Sequence, residues 1–522
     1  CSRCNVLTVE HLNVIVVGAG LSGIAAGHYL NTECPWADYA ILEAREAMGG
    51  TWDLFRYPGL RSDSDMFTLG YSFRPWDGAK AIADGDSILN YVRETAAEEG
   101  IDGKIRYGHR IVAANWSTEN ARWTVQVERS GSDDPTTLTC DFLFSCTGYY
   151  RYDHGYTPDF PGMDSFGGTV VHPQHWPDDL DVAGKRVVVI GSGATAITLI
   201  PSLARDAEHV TMLQRTPSYV ASLPAINPLA DRARRWLPAK VSGPVVRWAF
   251  ALGTLGSYKL SRWRPAVVKK ALRREAARRL PDGYDLDTHF NPPYDPWDQR
   301  LCVVPDGDLF AAISDGSASV VTDHVETFTE TGIRLKSGDE LEADIVVTAT
   351  GLELLFAGGM ELSVDGEPLD LPSKLTYKGM MLEDVPNLAL AIGYTNASWT
   401  LKAELTCQYV CRILNHLRDT GLRQATPRNR DASITAAPLL GLTSGYITRA
   451  SDRFPQQGSR FPWQVHQSYL RDYRALRMSD VVDEAMEFSN RRSPSRPLSG
   501  RLDTARAAPA GRSGSDSVPV DA

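Results

Sequence analysis

Cysteine is scarce. Eight are scattered through 522 residues, at Cys1, Cys4, Cys34, Cys140, Cys146, Cys302, Cys407 and Cys411. Only Cys1 and Cys4 stand at metal-site spacing, and they lie at the extreme terminus, where a frayed end is expected. This pattern argues against a zinc module, an iron–sulfur cluster and a disulfide framework, and predicts reduced thiols, no metal and a cytoplasmic location. No signal-peptide pattern is seen, and no apolar run has bilayer-spanning length. The first residue is Cys1, not methionine, as expected of a trimmed or appended terminus. Positive charge is also in deficit. A net charge of −10 excludes a general nucleic-acid binder. The length is too great for a single core and predicts two or three domains.

Two glycine turns stand out. An apolar strand, Leu12 to Val17, runs into Gly18-Ala19-Gly20-Leu21-Ser22-Gly23 and then a helical pattern. A second short strand, Tyr39 to Leu42, ends at Glu43, twenty residues after Gly23. Strand, glycines, helix, strand and acid in this order form a dinucleotide-binding unit. Its glycines admit a pyrophosphate to the helix N-terminus, and its acid accepts hydrogen bonds from ribose hydroxyls. The design recurs. Val187 to Ile190 leads into Gly191-Ser192-Gly193-Ala194-Thr195-Ala196, and the next strand, Val210 to Leu213, ends at Gln214-Arg215. An acid at the first strand end suits an unphosphorylated adenosine ribose, in FAD or NAD, and a cation at the second suits a 2′-phosphate, so the pair reads as FAD first and NADPH second. Buried strands ending at Thr147-Gly148 and Thr350-Gly351 extend the duplication.

The expected architecture is therefore α/β, with two Rossmann-like dinucleotide-binding domains, for FAD and NADPH, and a helical insertion. Residues 12–150 and 380–490 form the FAD domain, and 160–222 with 300–379 the NADPH domain. Residues 223–299 are the insertion. Residues 1–11 and the Arg-, Ser-, Pro- and Ala-rich stretch 491–522 are expected to be disordered. Residues 231–280 carry fourteen Lys or Arg against Asp231 and Glu275, about +12 in a chain of −10. Helices broken at Pro238, Pro244 and Pro265 are predicted there. Such a segment is a solvated basic face or a peripheral contact with an anionic membrane surface.

A flavin and a nicotinamide in one chain imply hydride transfer from NADPH to FAD. No redox Cys pair follows either glycine turn, so a disulfide reductase is excluded and oxygen remains as the electron acceptor.

The stretch Phe166-x-Gly168-x-x-x-His172-x-x-x-Trp176-Pro177, just before the second glycine turn, resembles the fingerprint of Baeyer–Villiger monooxygenases, the class B flavoprotein monooxygenases. Met48 to Asp65 resembles their GGTWxxxRYPGxRxD segment, and residues 10–485 read as one such chain. GGTWDLFRYPG, HPQHWP, QRLCVVP and YTNASWTLKAEL resemble the ethionamide-activating branch. The resemblance implies that Thr51, Trp52 and Asp63 lie beside the flavin and Arg61 and Ser62 near the nicotinamide. It implies that the Ile111 backbone meets the adenine and that Arg300 reaches the flavin from the NADPH domain, with Asp63 orienting it. The implied reaction runs through a C4a-peroxyflavin. It inserts one atom of O2 into small hydrophobic ketones, giving esters or lactones, and oxidises sulfur in sulfides or thioamides. A flavin monooxygenase acting only on N or S atoms is the alternative, against which Trp176-Pro177 speaks. A non-catalytic nucleotide sensor is a second.

Overall fold

The computed structural model describes residues 9–490; the expected disorder of 1–8 and 491–522 lies outside the described residues. The first sheet is built on β1 (Glu10–Val17), which runs parallel between β2 (Tyr39–Leu42) and a long third neighbour. The helix α1 (Leu21–Glu33) joins β1 to β2. Strands β3 (His109–Ser117), β4 (Arg122–Arg129) and β5 (Ser132–Ser145) form an antiparallel meander, and β5 closes against β1. β1 begins at Glu10, not at Leu12 as expected. Glu10 and His11 pair with Leu138 and Thr139, and the Arg106 guanidinium donates twice to the Glu10 carboxylate at 2.9 and 2.6 Å.

The second sheet is wholly parallel. β6 (Thr169–Val171), β7 (Arg186–Ile190), β8 (His209–Gln214), β9 (Ala318–Thr322) and β10 (Ile345–Thr348) lie in the order β9-β8-β7-β10-β6. The helix α2 (Ala194–Leu203) follows β7. Val187 and Val189 face one core and Val188 and Ile190 another. Burial on both faces is why these strands read as unbroken apolar runs. The chain returns to the first sheet earlier than expected. Strand Glu361–Val364 already pairs with β3, so the second unit ends before residue 361, not at 379. The physical cause is an open edge on β3 that this strand covers.

The insertion is helical: α3 (Pro228–Trp236), α4 (Ala239–Trp263) and α5 (Pro265–Arg279). Pro238 and Pro265 separate these helices. Pro244 does not break α4, contrary to expectation. It sits in the second turn on the exposed side, where its missing N–H costs the helix a single backbone hydrogen bond. The opposite face of α4 is anchored. Buried Arg247 pairs with Glu404 of α7, which spans Trp399–Thr420 and follows the short α6 (Asp308–Ser314). Arg247 also donates to the carbonyls of Phe67 and Thr68 at 3.3 Å. Glu404 in turn accepts from Tyr29 and Ser72.

Arg247→Ala strands a buried carboxylate and is expected to cost about 3–5 kcal/mol. Thermal unfolding should show a midpoint well below that of Arg232→Ala, whose side chain is exposed.

Candidate functional site

A cavity of about 610 Å³ opens at the carboxyl ends of the parallel strands of both sheets and is lined from both units. This is where open α/β sheets bind ligands. On the first side, β1 runs into Gly18, whose φ of +96° and 2.9 Å Cβ clearance to the Cys146 carbonyl admit no side chain. Gly23 sits in the first turn of α1, where a Cβ would lie 1.9 Å from the Gly18 oxygen. Gly20 precedes α1 with no side-chain cap, so the first N–H groups of the helix are left for a ligand. Buried Glu43 accepts from the N–H groups of Ala19 at 2.7 Å and Arg45 at 2.9 Å. Burial raises its pKa, and these two bonds oppose the rise. Buried Ser22 accepts from the Trp399 indole at 2.8 Å, which ties the turn to α7. Ile111 lies at an irregularity of β3 on the cavity wall, near Glu43.

The loop from Gly49 to Asp65 crosses to the second unit. One buried carboxylate, Asp53, holds it, with Arg45, Arg93 and Arg56 at 2.8, 2.9 and 3.2 Å. Thr51 and Trp52 line the cavity, and the Thr51 hydroxyl lies 3.4 Å from that of Tyr152. Gly59, at φ +76°, packs against Thr198 and Ser202 of α2. Two ion pairs of opposite polarity then span the units. Arg61 pairs with Asp308 at the start of α6, and Asp63 with Arg300 at 3.2 Å. Buried Ser62, between them, bonds to Ser64. The Asp63 charge favours the ionised form of Arg300 and outweighs the effect of burial. Arg262 of α4 pairs with Asp298 at 2.6 Å, and Thr443 donates twice to the Asp298 carbonyl. These contacts steady the segment that carries Arg300.

On the second side, Gly191, at φ +136°, lies so close to the Ala349 carbonyl that a Cβ would come within 2.4 Å. A Cβ on Gly193 would meet open space, and α2, like α1, has no side-chain cap. The Ser192 hydroxyl donates to Thr216 at 2.9 Å. Ala194 and Thr195 line the cavity, while Ala196 is buried against the sheet. Gln214 is a correction. It is buried, and its amide donates to the His289 carbonyl and the Thr322 hydroxyl, both at 2.9 Å. The last residue of β8 is needed to join β9 to the helix Leu286–His289, so its side chain does not face the cavity. Arg215, the next residue, is exposed. The two turns, uncapped helix ends and Glu43 fit an adenine dinucleotide in each unit.

The fingerprint stretch lies outside the cavity lining. Buried Phe166 packs in the second unit, and a Cβ on Gly168 would meet the Asp344 carbonyl at 2.4 Å. His172 is partly buried. Its Nε2 donates to the Gly351 carbonyl at 3.2 Å, and its Nδ1 accepts from the Gln174 N–H at 3.2 Å, which requires the neutral ring. Trp176 packs against the core under α2.

Several wall residues escaped the sequence reading. Tyr149, Tyr150 and Tyr152 follow Thr147-Gly148, and Tyr149 stacks at an angle on Trp399, 5.1 Å between ring centres. The run of tyrosines after a strand-end glycine was a usable signal. The pairing of Asp308 with a residue 247 positions away left no local trace.

The family described as "NAD(P)-binding Rossmann-like domain" matches residues 16–76, and that described as "Flavin-binding monooxygenase-like" matches residues 77–227. The chain is similar to "FAD-containing monooxygenase EthA" of Mycobacterium tuberculosis, with 51% identity over 93% of this chain and 99% of that one. It is also similar to "Putative FAD-containing monooxygenase MymA" of the same species, with 50% identity over 92% of this chain and 98% of that one. Among the solved structures that share the fold are two further monooxygenases. One is a steroid monooxygenase bound to NADP, with TM-score 0.67, 24% identity, and 80% and 88% of the two chains covered. The other is a cyclohexanone monooxygenase, with TM-score 0.67, 21% identity, and 80% and 90% covered.

Gly23→Ala is expected to abolish flavin retention, because its Cβ cannot clear the Gly18 oxygen; visible flavin absorbance per purified chain is the check. His172 predicts a pH effect. Burial lowers its pKa below the ordinary 6.5, so the unfolded chain takes up the proton first. The stability that His172 contributes is whole above pH 6.5 and is lost as pH falls from there through the lower folded pKa. Thermal midpoints measured down an acid series should therefore fall less steeply in His172→Gln than in the parent.

Proposed function

The chain belongs to the FAD-containing monooxygenases, α/β enzymes with two dinucleotide-binding units that take FAD and NADPH, and on that premise we propose how it works. Its substrates are O2 and small hydrophobic ketones, into which it inserts one oxygen atom to give esters or lactones. Sulfides and thioamides, oxidised at sulfur, are its second class. The observation that carries this reading is the Asp63–Arg300 pair in the wall of a cavity on which both dinucleotide turns converge.

FAD would be held by Gly18, Gly20, Ser22, Gly23, Glu43, Thr51, Trp52 and Ile111. NADPH would be held by the 191–196 turn and Arg215, with Arg61 and Ser62 towards its nicotinamide. When bound, the two supply hydride transfer and a reduced flavin that activates O2. The chain's own residues do the rest. Arg300 is a fixed cation aimed at the cavity, and it stabilises negative charge that develops on oxygen there. Asp63 orients the guanidinium and holds its charge. Tyr149, Tyr150 and Trp399 form an aromatic wall that keeps water from the reacting centre. The cytoplasm is the location that fits this chemistry, with residues 231–280 meeting an anionic membrane surface.

A preorganised cation of this kind is typically worth about 3–4 kcal/mol, so Arg300→Ala is expected to lower product formation roughly 100- to 1,000-fold. Flavin reduction by NADPH should persist, measured anaerobically by loss of flavin absorbance. The parent enzyme, given a ketone and sulfide panel with NADPH and oxygen-18 gas, should yield labelled esters and sulfoxides by mass spectrometry. Labelled sulfoxides without any ester would replace the reading with N- or S-oxidation alone. Normal ester yield from Arg300→Ala would remove that residue from the chemistry.

A further inference from the structure

We propose that the outer face of α4 docks on an anionic lipid bilayer and that apolar substrate enters the cavity from that bilayer; the second half rests on the monooxygenase reading. α4 has two faces. Val241, Val245, Leu252 and Trp263 are exposed, and they fall within roughly 40° of one another on a helix of 3.6 residues per turn. Val246, Arg247, Ala251 and Ser261 are buried on the opposite side. From Val241 to Tyr258 the only charged residue is Arg247, and it is consumed by Glu404. The exposed face carries no charge from Val241 to Tyr258, and Lys259 is the first charge on it, ahead of Trp263; so long an uncharged face is unusual for a solvated surface.

What flanks the face says what covers it. Trp236, just before α4, is 82% exposed, and Trp263, its last residue, is 72% exposed. Arg232, Arg235 and Lys240 stand at one end, and Lys259 and Arg264 at the other; none has an acidic partner among the described residues. Other cations of the segment are engaged by carboxylates of the chain at its surface, as in Arg262–Asp298, Lys269–Asp295 and Arg273–Asp287. Five of the exposed cations without an acidic partner thus stand at the ends of the apolar stripe, and Lys270 and Arg274 lie on α5. Cations for phosphates, tryptophans for the interface and a shallow apolar stripe for the acyl boundary are the recognition elements of a helix lying in an anionic membrane surface. No helix among the described residues is long and apolar enough to cross a membrane, so the contact is parallel to the surface.

The inner face makes the contact useful. Ala251 packs against Tyr394 and Leu401, and both Tyr394 and Ala397 line the reaction cavity. One helix diameter, about 10 Å, therefore separates the proposed lipid face from the cavity wall.

The flavin-loaded enzyme should sediment with phosphatidylglycerol–phosphatidylcholine vesicles at low salt, and should bind pure phosphatidylcholine vesicles at least tenfold less. The exposed double substitution Val245→Glu with Leu252→Glu should abolish sedimentation. It should leave oxidation of a water-soluble ketone in buffer unchanged and lower oxidation of a long-chain ketone held in vesicles at least tenfold. Failure of the parent to sediment with anionic vesicles would overturn the docking surface, as would a double variant that binds like the parent. A parent dimer in sedimentation velocity, dissociated by the double substitution and indifferent to vesicles, would assign the face to a second copy and overturn it too. Intact vesicle binding with no oxygenation of either ketone would overturn the monooxygenase reading and substrate delivery, while leaving docking in place.

Discussion

Two ion pairs of opposite polarity hold the site together across its two halves. Arg61 reaches Asp308, and two residues on, Asp63 meets Arg300. Because the signs alternate, sliding the loop by two residues would oppose like charges. The pairs thus set the register of the loop as well as its attachment. They hold only because the loop is itself rigid. Asp53, buried under three guanidinium groups, anchors its start, and Gly59 seats its middle on α2. A carboxylate removed from water needs such compensation, and this one has it in excess.

The same economy of charge explains the insertion. A segment of about +12 in an acidic chain reads as one basic patch, yet its cations do three different things. Arg247 is a buried fastener to the first unit. Arg262 steadies the segment that carries Arg300. Lys269 and Arg273 close local pairs. Of the remainder, Arg232, Arg235, Lys240, Lys259 and Arg264 lie towards the ends of α4, whose stretch from Val241 to Tyr258 carries no charge but buried Arg247.

The family fingerprint illustrates how a motif can be diagnostic without touching the cavity. Phe166, Gly168, His172 and Trp176 bind the connecting segment to the second sheet and to the Gly351 turn. His172 is the neutral ring in a two-bond bracket. The motif marks the architecture in which two dinucleotide turns face one cavity.

Both glycine turns, their strands and the acid at Glu43 were legible in the chain, because close backbone approach and double-sided burial leave local marks: glycine where a Cβ would collide, and unbroken apolar runs where both faces are covered. Resemblance, not periodicity, singled out Asp63 and Arg300. Where the reading failed, the deciding partner was distant. Residues 10 and 11 are ordered by Arg106 and β5, strand 361–364 by the edge of β3, and Gln214 by Thr322 and His289. Pro244 stays helical because the other face of α4 is anchored through Arg247. Local sequence therefore determined that two nucleotide units exist and where each turn lies. The meeting of those units around one cavity, and the apolar face turned outward on α4, depend on contacts between residues hundreds of positions apart, which only the folded chain creates.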